Sequence, residues 1–97
     1  DSQIKYQGHR IELGEIDSAG YSIDGVRQAC AIYDGSKIIF FCSLTMELSE
    51  KQIYGELKNR VPKYMLPKVI RIMEDIPLNV NGKIDRVYLK NLTENLQ

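Results

Sequence analysis

Two apolar segments joined by a short polar turn constrain the fold of this chain more than any other feature. Val26–Tyr33 and residues 37–45 are rich in β-branched and aromatic side chains, and Asp34-Gly35-Ser36 between them is a typical turn sequence. The pattern predicts a β-hairpin at the centre of a sheet. Because 97 residues can bury only one modest core, we expect the rest of the chain to pack around this hairpin as a single small domain.

The first quarter of the chain predicts a strand followed by a helix. Ile4 and Tyr6 alternate with polar neighbours, as in a short half-exposed strand, and Gly8 ends it. From Leu13 onward apolar residues recur at helical spacing, and Gly25 is a natural stop for the helix. The sequence therefore predicts a short strand, an irregular loop and a first helix.

The second half of the chain predicts two more helices and one more strand. Ser49 begins a capping box for a second helix, which Pro62 ends. Residues 68–73 carry the branched side chains of a third strand, and Asp85 is a good N-cap for a last helix with Leu89 on its apolar side. The predicted fold class is α+β, with a small three-stranded sheet and packed helices.

The charge balance argues against several classes of partner. Lys and Arg together number 13, as do Asp and Glu, and the pI is about 6.8. Such a chain lacks the basic surface that binds nucleic acid or anionic lipid. Its longest apolar run, residues 38–42, is far shorter than the roughly 20 residues that cross a bilayer, and the N-terminus has no signal-peptide pattern. We therefore expect a cytoplasmic protein with no nucleic-acid partner and no membrane partner.

The cysteines and the single histidine predict no metal site. Cys30 and Cys42 have neither the spacing of a zinc site nor the density of a disulfide scaffold. A two-residue hairpin turn would place Cys30 opposite Ile39 and not opposite Cys42, which argues against a disulfide between them. Both thiols are therefore predicted to be buried and reduced. His9 is the only histidine, which argues against a multi-histidine metal site and a Ser-His-Asp triad.

One lysine stands at a position suited to catalysis. Lys83 follows Gly82 on a loop just ahead of the last predicted helix, in the sequence NGKIDR at residues 81–86. A glycine lets the backbone approach a ligand closely, and the long lysine side chain carries a positive charge into a neighbouring cleft. By itself, a Gly-Lys pair before a helix is usually a solvated turn. Its meaning depends on a second segment, residues 3–17, which no simple packing pattern explains.

Both segments resemble the signature motifs of the small C-terminal subdomain of adenylate-forming enzymes. This superfamily contains acyl-CoA synthetases, luciferases and the adenylation domains of nonribosomal peptide synthetases. The sequences ELGEI at residues 12–16 and NGKIDR at residues 81–86 look most like the amino-acid-activating branch, which includes the D-alanine ligases that load carrier proteins. The resemblance implies that residues 1–97 form the mobile C-terminal lobe of a two-lobe enzyme, whose large N-terminal lobe lies outside this sequence.

The resemblance also implies a reaction in two steps. A carboxylate first attacks ATP, with Mg²⁺ present, to give an acyl-adenylate and pyrophosphate. The phosphopantetheine thiol of an acyl or peptidyl carrier protein then takes the acyl group. The small lobe rotates between two poses, and in the first of these the resemblance makes Lys83 the catalytic lysine, which bridges the substrate carboxylate and the adenylate oxygens.

In the second pose the resemblance places the loop around Gly8 and Arg10 at the active site, where it lines the tunnel for the pantetheine arm. A glycine suits such a position because any Cβ would narrow the passage. Glu12, Glu15 and Gly82 are expected to support the two loops. We expect Arg10 to pair with a carboxylate at the start of the helix rather than to contact the substrate.

The resemblance assigns Asp1 to the hinge between the lobes, which would mean that this sequence begins at the hinge. Two positions depart from the family pattern: Asp17 stands where glutamate is more common, and Asn79-Val80 replaces a common Thr-Pro pair. A missing proline would leave the loop before Lys83 looser. The sequence contains no phosphate-binding loop and no substrate pocket, so we expect this chain alone to be inactive.

Three other interpretations of the chain make different demands on its residues. An RNA-recognition module would need aromatic residues on one face of a strand, but Phe40 and Phe41 are adjacent and therefore point to opposite faces. A non-catalytic interaction or regulatory domain of the same fold would have no use for Lys83. The C-terminal domain of an acyl-CoA synthetase remains open. The sequence does not identify the acid that is activated.

Overall fold

The computed structural model describes residues 3–94 and contains three α-helices and two sheets within that range. Asp1, the predicted hinge, lies outside the described residues. The elements in chain order are β1 (Gln3–Tyr6), β2 (His9–Glu12), α1 (Leu13–Tyr21), β3 (Val26–Tyr33), β4 (Ile38–Leu44), α2 (Glu50–Lys58), a short 3₁₀ helix (Lys63–Met65), β5 (Val69–Ile72) and α3 (Arg86–Glu94).

The central sheet has the order β3-β4-β5. β3 and β4 are antiparallel, as the predicted hairpin requires, and β5 lies parallel to β4 on its other side, after a connection through α2. β4 is the central strand, and its residues 38–43 are all buried. The predicted α+β class and three-stranded sheet are confirmed. No helix within residues 3–94 is long and apolar enough to span a membrane.

The predicted register of the central hairpin is wrong by two residues. Cys30 lies opposite Phe41 and not opposite Ile39. The connection contains four residues instead of two, because the Asp34 carboxylate accepts hydrogen bonds from the backbone N–H groups two and three residues later, each at 2.8 Å. Both cysteines are nevertheless buried and free, as predicted.

The predicted irregular loop before α1 is instead a second strand. Gln7 and Gly8 have positive φ angles of 52° and 81°, and they form a two-residue turn that folds β2 back onto β1. Ile11, the one apolar residue of β2, is buried. A four-residue strand with a single apolar residue is too short for its alternation to be read from the sequence.

The central sheet separates two groups of buried side chains, because successive residues of a strand point to opposite faces. On the α1 face, the sheet is covered by the β1–β2 hairpin, α1 and α2. Its buried sheet residues are Ala29, Ala31, Ile38, Phe40, Cys42 and Ile70. On the α3 face, the sheet is covered by α3 and Ile76. Its buried sheet residues are Cys30, Ile32, Ile39 and Phe41.

Candidate functional site

Residues 78–84 form a closed turn, the Lys83 hairpin, on the α3 face of the domain. Leu78 and Ile84 make an antiparallel bridge at its base. Beyond the bridge, the N–H of Asn79 donates to the carbonyl of Lys83 at 2.7 Å. Ile84 packs into the buried cluster of the α3 face. The backbone around the lysine is therefore fixed by cross-strand hydrogen bonds and an apolar anchor.

Asn79 orders the tip of the Lys83 hairpin. Its carbonyl accepts from the N–H of Gly82 at 3.0 Å, and Gly82 has a φ of 79°, a conformation that favours glycine. Its side-chain Oδ1 accepts from the N–H groups of Asn81 and Lys83, at 2.8 and 3.2 Å. The Asn79 side chain thus orders the tip where a proline is absent, and the expectation of a looser loop at Asn79-Val80 stays a prediction.

The Lys83 side chain is exposed beside an open groove. Within residues 3–94 its ammonium group forms no hydrogen bond and no ion pair. The groove, of about 480 Å³, is lined by residues of α1, β3 and the hairpin, among them Tyr21 and Leu78. Lys83 is therefore a positive charge on an ordered backbone, without a partner in the described part of the chain.

The start of α3 lies directly behind the lysine. The Asp85 carboxylate accepts from the N–H of Tyr88 at 3.0 Å, which confirms the predicted N-cap. Ile84 is partly buried and packs against the buried cluster that contains Leu89, as the predicted staple requires. The Asp85 N–H also donates to the carbonyl of Pro77 at 2.9 Å, so the base of the hairpin and the beginning of the helix are one unit.

The segment that enters the Lys83 hairpin is attached to β3 by side chains. Gln28 accepts from the N–H of Ile76 at 2.9 Å and donates to its carbonyl at 3.0 Å, while Ser43 donates to the same Gln28 oxygen. Arg27 pairs with Asp75 at 2.9 Å. Sequence reasoning missed these contacts, because the partners lie 48 residues apart and no local pattern links them.

The second candidate segment, residues 3–12, is called the Gly8 hairpin. Gly8 is exposed at its turn, and a Cβ added there would meet no atom of this chain within 4 Å. Within this chain, the positive φ angle is therefore the only reason for a glycine at position 8, since a side chain there would have space. Tyr6 and Ile11 are buried on the α1 face, so the strands are held by apolar packing while the turn is free.

The polar residues predicted beside Gly8 are not brought together. Arg10 is exposed opposite Lys5, and it has no ion pair among residues 3–94, so the expected pairing with a carboxylate is not formed there. Glu12 occupies the N-cap position of α1 but makes no capping hydrogen bond with its side chain. Glu15 is exposed in the first turn, near the positive end of the helix.

One aromatic contact at the Gly8 hairpin was not predicted. The rings of His9 and Tyr64 stack with a centroid distance of 3.9 Å and an interplanar angle of 10°. Tyr64 belongs to the 3₁₀ helix after α2, so the stack ties the residue next to Gly8 to a distant segment. Because the two rings lie far apart along the chain, no local pattern indicates the contact.

The buried thiols offer no reactive group. Cys30 and Cys42 lie on opposite faces of the sheet. Burial raises the pKa of the Cys30 thiol to about 12 and that of the Cys42 thiol to about 11, so neither forms a thiolate near neutral pH. In the described range, no three residues of the types His, Cys, Asp and Glu are placed to hold a metal ion.

Known proteins resemble this chain over most of its length. The AMP-binding enzyme C-terminal domain family matches residues 15–83. Gramicidin S synthase 2 of Brevibacillus brevis is 35% identical over 95% of this chain, and D-alanine--D-alanyl carrier protein ligase of Staphylococcus aureus is 36% identical over 89%. This chain spans only 2% and 20% of those two proteins.

A solved structure has the same fold over nearly the whole chain. The fatty acyl CoA synthetase of Mycobacterium tuberculosis superposes with a TM-score of 0.85 and 26% identity, over 98% of this chain and 20% of that protein. In each comparison the similarity spans most of this chain and a minor part of a longer protein. On the family match and the identity to its relatives, the chain belongs to the AMP-binding enzyme C-terminal domain family.

Proposed function

We propose that this chain is the mobile C-terminal lobe of an ATP-dependent, AMP-forming ligase. The ligase activates an amino acid or related carboxylate as an acyl-adenylate and transfers it to the phosphopantetheine thiol of a carrier protein. In this proposal residues 1–97 are one domain, and a large N-terminal lobe outside this sequence holds the substrates. The observation that carries the proposal is Lys83, an exposed cation without a partner in the described range, on a hairpin fixed from both ends.

In the adenylation step, Lys83 meets two anions that must approach each other. The substrate carboxylate attacks a phosphate that is itself negatively charged, and the ammonium group offsets their repulsion where charge develops. Such a group is most effective when its backbone does not reorganise during the reaction. The hydrogen bonds of Asn79 to the Lys83 backbone supply that rigidity, while the side chain beyond them extends free.

In the transfer step, the Gly8 hairpin takes the place of the Lys83 hairpin at the active site. The empty space beside Gly8 leaves room for the pantetheine arm to pass against the backbone. Arg10 is exposed two residues further along and is available to the arm or to the larger lobe. Glu12, Glu15 and Gly82 support the two loops in this proposal.

The position of the two hairpins supports a rotation between poses. The Lys83 hairpin packs on the α3 face of the central sheet, and the Gly8 hairpin packs on the α1 face. Two loops over opposite faces are most simply presented to one active site in turn, by rotating the domain. A hinge at Asp1 is part of this proposal, although that residue lies outside the described range.

ATP and Mg²⁺ belong to the larger lobe in this proposal. The described residues form no cluster suited to a metal ion, and their grooves are open and without a phosphate-binding loop. Calorimetry of this chain alone with ATP and Mg²⁺ should therefore show no binding in the micromolar range. Micromolar binding would contradict the division of labour between the lobes.

A second candidate is the C-terminal domain of an acyl-CoA synthetase. The 26% identity to a fatty acyl CoA synthetase, at a TM-score of 0.85, favours keeping it. The two candidates differ in the thiol that accepts the acyl group. Assaying the full-length protein with free coenzyme A and with a pantetheinylated carrier protein distinguishes them.

The proposed function is tested by changing Lys83 in the full-length protein. Lys83→Ala should lower ATP–pyrophosphate exchange by about 10²–10³-fold, the size expected when one preorganised charge is removed. Transfer from supplied acyl-adenylate should stay within about twofold. Lys90→Ala, which removes an exposed lysine on the next helix, is the matched control and should change neither step. Equal loss of both steps in Lys83→Ala would contradict the proposal.

A further inference from the structure

Two charged side chains meet at the open edge of the central sheet. β3 is an edge strand, and Ala31 in its middle pairs with Phe40 on the inner side only. On the outer side, the Ala31 N–H donates to the Asp17 carboxylate at 2.6 Å, and the guanidinium of Arg86 donates to the Ala31 carbonyl at 3.2 Å. Together the two side chains bond to Ala31 as a neighbouring strand would.

Asp17 and Arg86 also bond to each other, at 2.5 Å between Oδ2 and Nη2. The Asp17 side chain is only 14% exposed, whereas that of Arg86 is 46% exposed. Burial raises the pKa of Asp17, although the Ala31 amide and Arg86 pull it the other way. The planar guanidinium can serve the carboxylate and the carbonyl at once, which a lysine ammonium at one point cannot do equally well.

This clamp, Asp17 with Arg86 and the backbone of Ala31, joins elements from the two faces of the sheet. Asp17 lies on α1, which directly follows the Gly8 hairpin and packs on the α1 face. Arg86 is the first residue of α3, three positions after Lys83. The clamp therefore connects the helix behind one candidate loop to the helix behind the other, around the edge of the sheet.

We propose that Asp17 and Arg86 are positioning residues that fix the Lys83 hairpin relative to the rest of the domain. Neither side chain needs to contact substrate, since both act through the start of α3. The proposal rests on the proposed function for the role of Lys83. It adds that the placement of Lys83 depends on the ion pair between Arg86 and Asp17, two residues that lie 69 positions apart in the sequence.

The backbone groups of Ala31 fix which side of the clamp must carry the acid and which the base. Its N–H requires an acceptor and its carbonyl requires a donor, so Asp17 and Arg86 cannot exchange places. A simple surface ion pair would tolerate reversal of its charges, because the attraction is unchanged. The double exchange Asp17→Arg with Arg86→Asp would instead set a guanidinium against the Ala31 N–H, and it should not restore function.

The test uses the full-length protein with Asp17→Asn, Arg86→Gln, Arg86→Lys and the double exchange. Hydrogen exchange of peptides covering residues 77–85 reports the hairpin, and the two reaction steps are measured separately. We expect about tenfold faster exchange in Asp17→Asn and Arg86→Gln, from the loss of charge-assisted hydrogen bonds. Adenylate formation should fall by about tenfold or more, with transfer from supplied adenylate within about twofold. Arg86→Lys should recover part of both effects.

The matched control is Arg60→Gln, which breaks the contacts of Arg60 to Glu56 and Ser22 on the α1 face and should leave the Lys83 hairpin unchanged. The clamp would be overturned if hydrogen exchange of the Lys83 hairpin were unchanged in Asp17→Asn and Arg86→Gln. It would also be overturned if the charge-swapped double variant fully recovered hydrogen exchange and adenylate formation. Faster exchange with no loss of adenylate formation would overturn its positioning role. Hydrogen exchange is read independently of catalysis, so a failure of the Lys83→Ala test would refute the proposed function without obscuring the result for the clamp.

Discussion

The Lys83 hairpin and the Gly8 hairpin use the same backbone device but are held in different ways. Each reverses direction through a glycine with positive φ at an exposed turn. The Gly8 hairpin has two fully paired strands and buries Tyr6 and Ile11 in the core. The Lys83 hairpin has one bridge at its base, and Asn79 orders its tip through directional hydrogen bonds.

The difference indicates how each loop will respond to change. Apolar packing tolerates small shifts of a turn, because it depends on buried area and not on the direction of a bond. Hydrogen bonds lose strength quickly as their geometry changes. We therefore expect the packing of the Gly8 hairpin to tolerate changes at its turn, so that bulk there acts only on the proposed passage of the pantetheine arm. The Lys83 hairpin should instead be sensitive to the loss of single polar side chains.

Apart from the loss of Lys83 itself, the largest effect should come from bulk at Gly8. In the full-length protein, Gly8→Leu should lower thiol transfer by about 10²-fold, because the side chain fills the space assigned to the pantetheine arm. Adenylate formation should remain within about threefold.

Gly35→Leu is the matched control for backbone strain at Gly8. Gly35 also lies in an exposed turn, with a φ of 94° and no atom within 4 Å of an added Cβ. Both variants carry the same kind of strain, about 1–2 kcal/mol. If Gly35→Leu lowered transfer as much as Gly8→Leu, the effect would be loss of stability and the tunnel assignment would be wrong.

A smaller effect is expected from Asn79, which orders the tip of the other hairpin. Asn79→Ala removes two hydrogen bonds to the backbone of Asn81 and Lys83, and it should lower adenylate formation by about tenfold with transfer unchanged. Asn79→Asp keeps an acceptor and should retain most activity. Asn81→Ala, at a neighbouring exposed side chain, should have little effect. A uniform loss across the three variants would show that the tip is not ordered by Asn79.

The stack of His9 on Tyr64 should have a modest effect, confined to the other step. Aromatic pairs contribute about 0.5–1.5 kcal/mol, so His9→Ala should slow thiol transfer by about three- to tenfold. Tyr64→Ala should do the same, and the double variant should be no worse than either single variant. Additive losses in a double-mutant cycle would show that the two rings act separately.

The smallest effect is a difference in pH dependence. Because burial raises the pKa of Asp17, the folded carboxylate takes up a proton at a higher pH than the unfolded one. The stability from this group is present at low pH and is lost as the pH rises through the folded pKa. Local opening of the Lys83 hairpin is a separate equilibrium, in which Asp17 stays buried and loses only its contact with Arg86. Because Arg86 lowers the pKa of Asp17, this opening favours the protonated carboxyl, so the Lys83 hairpin should exchange faster at acid pH.

Hydrogen exchange between about pH 4 and about pH 7, corrected for intrinsic rates, tests this difference. Peptides covering residues 77–85 should show the acid-induced increase, peptides covering residues 3–12 should not, and Asp17→Asn should abolish it. The same pH dependence in both hairpins would contradict a clamp that acts on one of them.

The parts of the fold that could be predicted are those with local signals. The apolar runs of β3 and β4, the capping box at Ser49 and the cap at Asp85 all act within a few residues, and each was confirmed. β2 was missed because it has one buried apolar residue. The hairpin register was wrong because the bonds made by the Asp34 side chain lengthen the turn by two residues.

For the candidate site, too, the sequence predicted the local features and missed the long-range contacts. The motifs locate Lys83 and Gly8 on turns, and the structure agrees with that much. The expected ion pair of Arg10 was not found among the described residues, whereas Arg86 pairs with Asp17. Contacts between residues tens of positions apart depend on the packing of whole elements, and a single sequence contains no pattern that reports them.

The central claim is that the two hairpins serve different steps of one reaction. It is tested most directly by measuring both steps, in single-turnover experiments, for Lys83→Ala and Gly8→Leu in the full-length protein. The account predicts a crossed pattern, in which Lys83→Ala loses adenylate formation and keeps transfer, and Gly8→Leu does the reverse. Two variants that impair the same step, or both steps equally, would contradict it.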